Sequence, residues 1–480
     1  MTASSDSVAQ WKEPGFLHAL ITLALIIGVI STGLFFLQTS LHSLLLISLV
    51  IASVSAYMLG HDYYSIRGAM NAGISGALTA IYIFILIGVL IASFIQSGTL
   101  AMLIYYGIKF VSPTLFLPAG LILCSVMSLA TGTSWGTVGT IGVVLMGIGT
   151  TMGIPAPLVA GMVISGACFG DKMSPVSDTT NLAAMSSRVD LYAHIRSMLY
   201  TTGPAYVLSL VIFSLLGMKY AENPLPLEQL AVMQNALQNT FSINLLTLLP
   251  LVVMLGLSIA RVAPEPSMML ASAVAVLLAV LLQGQSLTTV LNSLYSGGNV
   301  RTGLESIDSL LGRGGILAMM WTLSLSLIAL ALGGILERGR FLRVLIRGIV
   351  SRIKRASTLV ATTILACFTG NMTMGEAYMS ILLSGQLFSD AYDRKGVDRR
   401  VLSRSLEDGA TLTTALIPWT TGGAFFASTL GVAVVEYAPW ALLNWLSPLI
   451  AIAFVVLGIG LFDKKGAVVR PEEASSAAQL

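Results

Sequence analysis

Three charged side chains, Asp171, Lys172 and Asp178, lie within the otherwise apolar and small residues of 157–185. A charge inside a membrane span costs on the order of 2.5–3.5 kcal/mol, so such residues mark functional sites by default. A partly dehydrated carboxylate holds a proton more firmly, and a bound cation releases that proton. Carboxylates in this setting could therefore exchange a proton for a cation.

Structural roles for the same charges also remain open. Asp171 and Lys172 could form an ion pair that holds the backbone in shape. Asp178 could cap a helix that starts near Thr179. Lys172 could instead bind the carboxylate of a substrate.

A second polar interruption lies about half a chain further on. The sequences TGTSWGT at 131–137 and GACFGDKMSPVSDTTN at 166–181 correspond to TGNMTMGEA at 369–377 and GATLTTALIPWTTGG at 409–423. Their first residues are offset by 238 and 243 positions. Paired, interrupted hydrophobic segments in two halves of a chain indicate the binding site of a transporter.

The second interruption carries fewer acids than the first. The counterparts of the two aspartates are Thr414 and Thr421. Glu376 is therefore the best acidic candidate in the second half, although it could serve only to hold the hairpin in shape. Glu407 and Asp408 precede the broken segment. They could reach the site, but we interpret them as a solvated loop end or helix cap.

The composition indicates an all-α polytopic membrane protein. Hydrophobic residues make up 55% of the chain and charged residues 10%, against about 25% charged in soluble domains. Many apolar runs are long enough to cross a hydrocarbon core about 30 Å thick. The candidate crossings are 16–37, 41–59, 78–96, 157–185, 198–218, 242–260, 266–283, 314–336, 409–434 and 438–462.

Two further apolar stretches, 113–152 and 357–389, are predicted to be hairpins. The segments 337–355 and 390–404 on either side of the second stretch are rich in Arg and Lys, which places both in the cytoplasm. A stretch that starts and ends on one side is either a re-entrant loop or a pair of full helices. Polar breaks at 131–133 and 369–371 are expected to form the tips.

Each half then contains five crossings, and an odd number inverts the second half relative to the first. The predicted layout has two inverted-topology repeats, each with a hairpin and a broken helix, and both termini in the cytoplasm. Its parts are a cytoplasmic tail (1–15), the first repeat (16–218), an outer linker (219–241), the second repeat (242–462) and a second cytoplasmic tail (463–480).

Shorter segments join these crossings. Residues 99–111 and 340–353 precede the hairpins, and the apolar and arginine residues of 340–353 alternate as in an amphipathic helix at the membrane interface. Residues 61–67 are interpreted as an inner loop, and 219–240 and 284–313 as outer loops.

Several classes of function find no support in the sequence. Cys124, Cys168 and Cys367 lie in apolar segments and do not form a disulfide framework or a metal motif. No GxxxxGK[ST] phosphate loop is found, which argues against an ATP-driven pump. We therefore expect the protein to be neither an enzyme nor dependent on a cofactor, and we expect no nucleic-acid partner.

The motif GACFGDKMSPVSDTTNLA resembles the NhaC-type sodium/proton antiporter family of the ion transporter superfamily. ATGTSWGT, GNMTMGEAYMSIL and LEDGATLTTALIPWTTGG extend the resemblance over about 80–460. It implies a bacterial cytoplasmic (inner) membrane protein with inverted repeats, and a homodimer with an elevator-type transport domain. It also implies ion ligands at Thr133, Ser134, Asp171, Ser177, Asp178, Thr179, Asn181, Asn371, Thr373, Thr420 and Thr421.

Two functions follow, and the sequence leaves both open. The first is exchange of Na⁺ for H⁺ by alternating access. The alternative is sodium- or proton-coupled transport or exchange of a small organic acid or amino acid, with Lys172 or helix N-termini holding the anion. A channel or a membrane enzyme is a third class, although no nucleophile–base or metal cluster supports an enzyme.

Overall fold

A computed structural model describes the helices that carry these motifs. It covers residues 12–463 except 77, 111–112, 176, 221–226, 261, 299, 305–307, 309–310, 313 and 354. Within these residues the chain is α-helical, and β pairing is limited to one isolated bridge between Val397 and Asp463. The expected all-α class is confirmed.

The first half of the chain folds into long helices with two interruptions. One helix pair turns back on itself at 132–133, and a second helix stops and restarts at 174–177. In order, the helices are α1 (Phe16–Phe35), α2 (Leu41–Met58), α3 (Tyr63–Ser75), α4 (Leu78–Gln96), α5 (Thr99–Phe110), α6 (Pro113–Thr131), α7 (Ser134–Thr137), a π-helical turn (Val138–Gly142), α8 (Val143–Thr151), α9 (Ala156–Met173), α10 (Asp178–Ser187) and α11 (Leu191–Met218).

The second half also contains long helices and interrupted ones. Its helices are α12 (Leu227–Thr240), a 3₁₀ turn (Leu245–Leu248), α13 (Leu249–Ile259), α14 (Pro264–Leu281), α15 (Leu287–Ser296), α16 (Ile316–Arg338), α17 (Phe341–Val350), α18 (Ala356–Met374), α19 (Ala377–Arg394), α20 (Arg399–Leu406), a π-helical turn (Glu407–Thr411), α21 (Leu412–Thr414), α22 (Thr421–Leu430), α23 (Val434–Tyr437), a 3₁₀ turn (Ala438–Trp440) and α24 (Leu442–Val456).

The described residues contain several spans that could cross a membrane, as a polytopic protein requires. Five helices are long and apolar enough, and the number rises to eight if each of three bent pairs forms one span. The ten expected crossings exceed this number because α9 and α21 end at breaks and the apolar part of α14 covers only Glu265–Leu281.

Three segments interpreted as loops contain helices. Residues 61–67 open α3, and the expected outer loops contain α12 and α15. The polar residues of α3 suggested a loop, yet Ile66 and Ala69 are buried against α16. The two helices are in close contact at Gly73. A Cβ atom at this position would lie only 2.2 Å from the Leu330 carbonyl oxygen.

The two halves pack against each other in a reciprocal manner. Helix α4 of the first half lies against α14 and α15, while α16 of the second half lies against α2 and α3. Helix α17 is amphipathic, as predicted for 340–353, and buries Phe341, Leu342, Leu345 and Ile346. Arg340, just before it, donates a 2.5 Å hydrogen bond to Glu13.

Packed apolar side chains surround both hairpins. Leu121, Val163 and Phe425 belong to one buried cluster, while Ile364 and Leu406 belong to another. Non-helical backbone at membrane depth is tolerated only inside protein or along a wet cavity. The apolar clusters enclose the non-helical backbone of the hairpin turns and helix breaks inside the protein.

Candidate cation-binding site

The first hairpin turns at Gly132 and Thr133. Gly132 adopts a left-handed backbone with φ +71°, which its missing side chain permits. Thr133 is the N-cap of α7, and its hydroxyl oxygen accepts a 3.3 Å hydrogen bond from the Gly136 N–H. The turn lies within the polar segment 131–133, where the sequence predicted it.

The second hairpin turns at Gly375 and Glu376, not at the expected 369–371. Helix α18 continues to Met374, Gly375 has φ +72°, and Glu376 is the N-cap of α19. Asn371 lies within this helix, and its side-chain amide donates a 2.7 Å hydrogen bond to the Ala410 carbonyl. The Thr-Gly letters shared with the first hairpin therefore do not mark the second turn.

The first broken helix places a carboxylate at its break. Helix α9 ends at Met173, and α10 begins at Asp178 after an N-cap at Ser177. The Asp171 carboxylate accepts hydrogen bonds from the Ser134 N–H at 3.1 Å, the Ser134 hydroxyl at 2.6 Å and the Ser177 hydroxyl at 2.6 Å. The first hairpin tip and the first break therefore converge on Asp171.

The second broken helix makes the matching contact in reverse. Helix α21 ends at Thr414, and α22 begins at Thr421 after its N-cap Thr420. The Thr421 hydroxyl donates a 2.6 Å hydrogen bond to the Glu376 carboxylate. In this half the tip supplies the acid and the break supplies the hydroxyl.

Equivalent contacts in the two halves share one offset. The Ser128 hydroxyl donates to the Ala167 carbonyl at 2.6 Å, and the Asn371 amide donates to the Ala410 carbonyl. Both members of the second pair lie 243 positions after those of the first. The two tip glycines, Gly132 and Gly375, and the first residues of α10 and α22 have the same spacing, so the offset of 238 assigned to the hairpins is wrong.

A cavity of about 600 Å³ opens between these elements. Four carboxylates line it: Asp171, Asp178, Glu265 and Glu376. Among the described lining residues there is no Lys, Arg or His. The other polar side chains along it are Thr131, Thr133, Ser134, Thr179, Ser267, Tyr378, Thr411, Thr414 and Thr421.

Six of the expected site residues are not among the described lining residues of this cavity: Lys172, Ser177, Asn181, Asn371, Thr373 and Thr420. Most of these side chains form hydrogen bonds with neighbouring protein groups. Ser177 holds Asp171, and Asn181 donates to the carbonyls of Pro175 and Ser177. Thr373 donates to two carbonyls of its own helix. These residues shape the breaks from outside the cavity.

Lys172 pairs with Asp408 and not with its neighbour Asp171. Both side chains of this ion pair are fully buried. Asp408 also accepts hydrogen bonds from Ser447 at 2.6 Å and Thr201 at 3.1 Å. The ion pair therefore links the end of α9, in the first broken helix, to the π-helical turn before α21, in the second.

Glu407 and Asp408 are not solvated, contrary to the sequence-based interpretation. Both are fully buried, and Glu407 opens a π-helical turn. The partner of Asp408 lies 236 residues away in the sequence, so no local pattern could have revealed it.

Glu265 is a cavity residue that the sequence analysis missed. It lies in the first turn of α14, where the positive end of the helix dipole favours a carboxylate. Little in the sequence indicates that Glu265 lies at a site, because an acidic residue between Pro264 and Pro266 is also typical of a loop. Helix α14 packs against α4, and in this position Glu265 lines the cavity.

The chain matches known membrane antiporters along nearly its whole length. A model of the Na⁺/H⁺ antiporter family matches residues 166–459. The chain is 38% identical to a Na⁺/H⁺ antiporter NhaC of Alkalihalophilus pseudofirmus, over 92% of this chain and 96% of that protein. It is 36% identical to a malate-2H⁺/Na⁺-lactate antiporter of Bacillus subtilis, over 96% and 99%.

A third relative is the arginine/ornithine antiporter ArcD of Halobacterium salinarum, which is 34% identical over 97% of each chain. The relatives thus share antiport and differ in the solutes that their names give. With the family match and the extent of these alignments, the chain belongs to the Na⁺/H⁺ antiporter family.

Proposed function

We propose that this protein is a secondary transporter that exports Na⁺ in exchange for H⁺ by alternating access. The observation that carries the proposal is the cavity itself, where four carboxylates meet without a Lys, Arg or His among the described lining residues. Such a site attracts cations, because a bound proton or metal ion neutralises carboxylates that have no cationic side chain beside them in the described lining.

Asp171 is the proposed site of exchange in the first half. The two serine hydroxyls that donate to it can rotate and offer lone pairs to an arriving ion. Hard cations prefer oxygen ligands of this kind. Na⁺ would displace the proton from Asp171, and loss of Na⁺ to the other side would allow reprotonation.

Glu376 is the proposed counterpart in the second half, with Thr421 as its hydroxyl partner. Asp178, Thr179, Thr133 and Ser134 line the same space and supply further oxygens. This arrangement accounts for the ligand set implied by the family resemblance without requiring that every member touch the ion.

The proposed architecture is a pair of inverted repeats with both termini in the cytoplasm. The constant offset of 243 positions and the reciprocal packing of α4 and α16 support it. A homodimer in the bacterial cytoplasmic membrane, with an elevator-type motion of the transport domain, completes the proposal by analogy with the family.

The size of the cavity favours a second candidate, an exchanger of a small organic solute. A volume of about 600 Å³ lies in the range of small-molecule sites, and two relatives are named for organic solutes. A carboxylate substrate would find no basic side chain among the described lining residues. It would therefore have to bind together with Na⁺ or protons.

Flux measurements in vesicles distinguish the two functions. The purified protein is reconstituted with a trapped pH indicator, and a Na⁺ gradient is imposed without any organic solute. Na⁺-driven proton movement that protein-free vesicles lack is the expected result. Proton movement that starts only after malate, lactate or an amino acid is added would replace the first function with the second.

A further inference from the structure

Glu407 is a buried acid that the proposed exchange site does not use. Its side chain is fully buried, and neither carboxylate oxygen has a hydrogen-bond partner of normal geometry. It is the first residue of a π-helical turn, a distortion that is frequent at functional sites. A buried acceptor of this kind is rare in native proteins and calls for a physical explanation.

The surroundings of Glu407 do not balance a negative charge on it. The positive charge of Lys172 acts on Glu407, but Lys172 forms the ion pair with Asp408. The Arg404 guanidinium donates to the carbonyls of Ser197 and Gly460. The other titratable groups that face Glu407 are Asp171 on α9, Cys367 on α18, Tyr378 on α19 and Asp408 on its own turn.

An unpaired carboxylate among these acidic neighbours would be costly, whereas a protonated carboxyl would not. These surroundings therefore favour the protonated form of Glu407. A proton on Glu407 can take part in transport only if it can exchange with water in the cavity.

A short hydroxyl path joins Glu407 to the cavity. The Thr411 hydroxyl, one turn further on, is within reach of the Glu407 carboxyl group, and Thr411 lines the cavity. Thr414 follows on the same face of the segment and also lines the cavity. Both hydroxyls lack a hydrogen-bond partner of normal geometry, so each is free to accept one proton and pass on another.

We infer that Glu407 is a second proton-binding site, loaded and emptied through Thr411 from the cation cavity. This inference rests on the proposed sodium/proton exchange. The cavity carboxylates alternate between Na⁺ and H⁺, whereas Glu407 carries a proton that Na⁺ does not displace directly. The exchange cycle then moves at least two protons for each Na⁺.

The coupling ratio tests this inference. Wild-type and Glu407→Gln proteins are reconstituted, and the H⁺/Na⁺ ratio is obtained from the membrane potential and ion gradients at which net flux stops. Glu407→Gln is expected to lower the ratio by one proton per Na⁺. Glu436→Gln, at an exposed acid outside the cavity, is the matched control and is expected to retain the wild-type ratio.

An unchanged ratio in Glu407→Gln, or a wild-type ratio of one proton per Na⁺, would overturn the inference. If Glu407→Gln does not fold or does not exchange, Thr411→Val decides, because it keeps the carboxyl and removes the path. Its ratio is expected to fall by one proton, and an unchanged ratio would again overturn the inference. Wild-type protein without Na⁺-driven proton flux would instead refute the proposed function.

Discussion

The buried pair of Lys172 and Asp408 allows a quantitative prediction about stability. Both side chains are fully buried, so removing one partner leaves the other charge without compensation. Such a loss destabilises a protein by about 3–5 kcal/mol. For Lys172→Met we expect the lower value, about 3 kcal/mol, because Asp408 retains the Ser447 and Thr201 hydroxyls.

Asp408→Leu should be the more damaging change, at about 5 kcal/mol. Within the described residues it leaves the Lys172 ammonium with one long hydrogen bond, 3.4 Å to the Ser447 hydroxyl. The double variant removes both charges and costs about 2 kcal/mol, roughly 1 kcal/mol for each hydroxyl that loses its acceptor. The two single changes sum to about 8 kcal/mol, so the interaction energy is about 6 kcal/mol, within the range of about 1.5–7 kcal/mol known for close charge pairs.

Reversible unfolding of the four proteins by SDS in mixed micelles, followed by tryptophan fluorescence, provides the free energies. A double variant whose loss equals the sum of the single losses would refute the pairing. Transport provides a second readout, because Lys172 lies outside the described lining of the cavity. The double variant should retain Na⁺/H⁺ exchange per folded molecule, and loss of exchange would contradict a purely structural role for the pair.

Three further changes test the site and its packing. Ser177→Ala removes one hydrogen bond to the Asp171 carboxylate, worth about 1.5–3 kcal/mol, so the apparent Na⁺ affinity should change about tenfold or more; an unchanged Na⁺ dependence would contradict this. Glu376→Gln should weaken Na⁺ binding by at least about tenfold, measured by calorimetry, and equal binding would exclude Glu376. Gly170→Ala places a Cβ 2.3 Å from a backbone carbonyl oxygen and should destabilise the protein by about 1–3 kcal/mol. Gly28→Ala, which has open space around the new methyl group, should leave stability unchanged. Equal unfolding curves for the two variants would argue against close packing at Gly170.

The breaks in the helices were predictable because their causes are local. Pro175 and Pro418 cannot continue a hydrogen-bond ladder, and Gly132 supplies the left-handed turn of the first hairpin. The second turn was misplaced because two Thr-Gly pairs look alike in sequence. In the structure Gly370 packs against Ser380 within the hairpin, and the turn falls at the next glycine.

The partners of the buried charges were not predictable for the opposite reason. Asp408 joins Lys172 across two halves of the chain, and a local reading placed it in water. Glu265 reaches the cavity only because α14 packs against α4. Hydrophobicity and turn residues thus reveal where a membrane chain is interrupted, while the contacts between interruptions depend on tertiary packing.

Proton release on Na⁺ binding tests the central claim most directly, since Na⁺ and H⁺ are proposed to compete for the same carboxylates. Purified protein in weakly buffered detergent solution is titrated with NaCl in the presence of a pH indicator dye, with choline chloride as the salt control. Wild-type protein should release protons as Na⁺ binds, and Asp171→Asn should release fewer or none. Saturable Na⁺ binding without any proton release by the wild-type protein would contradict the account.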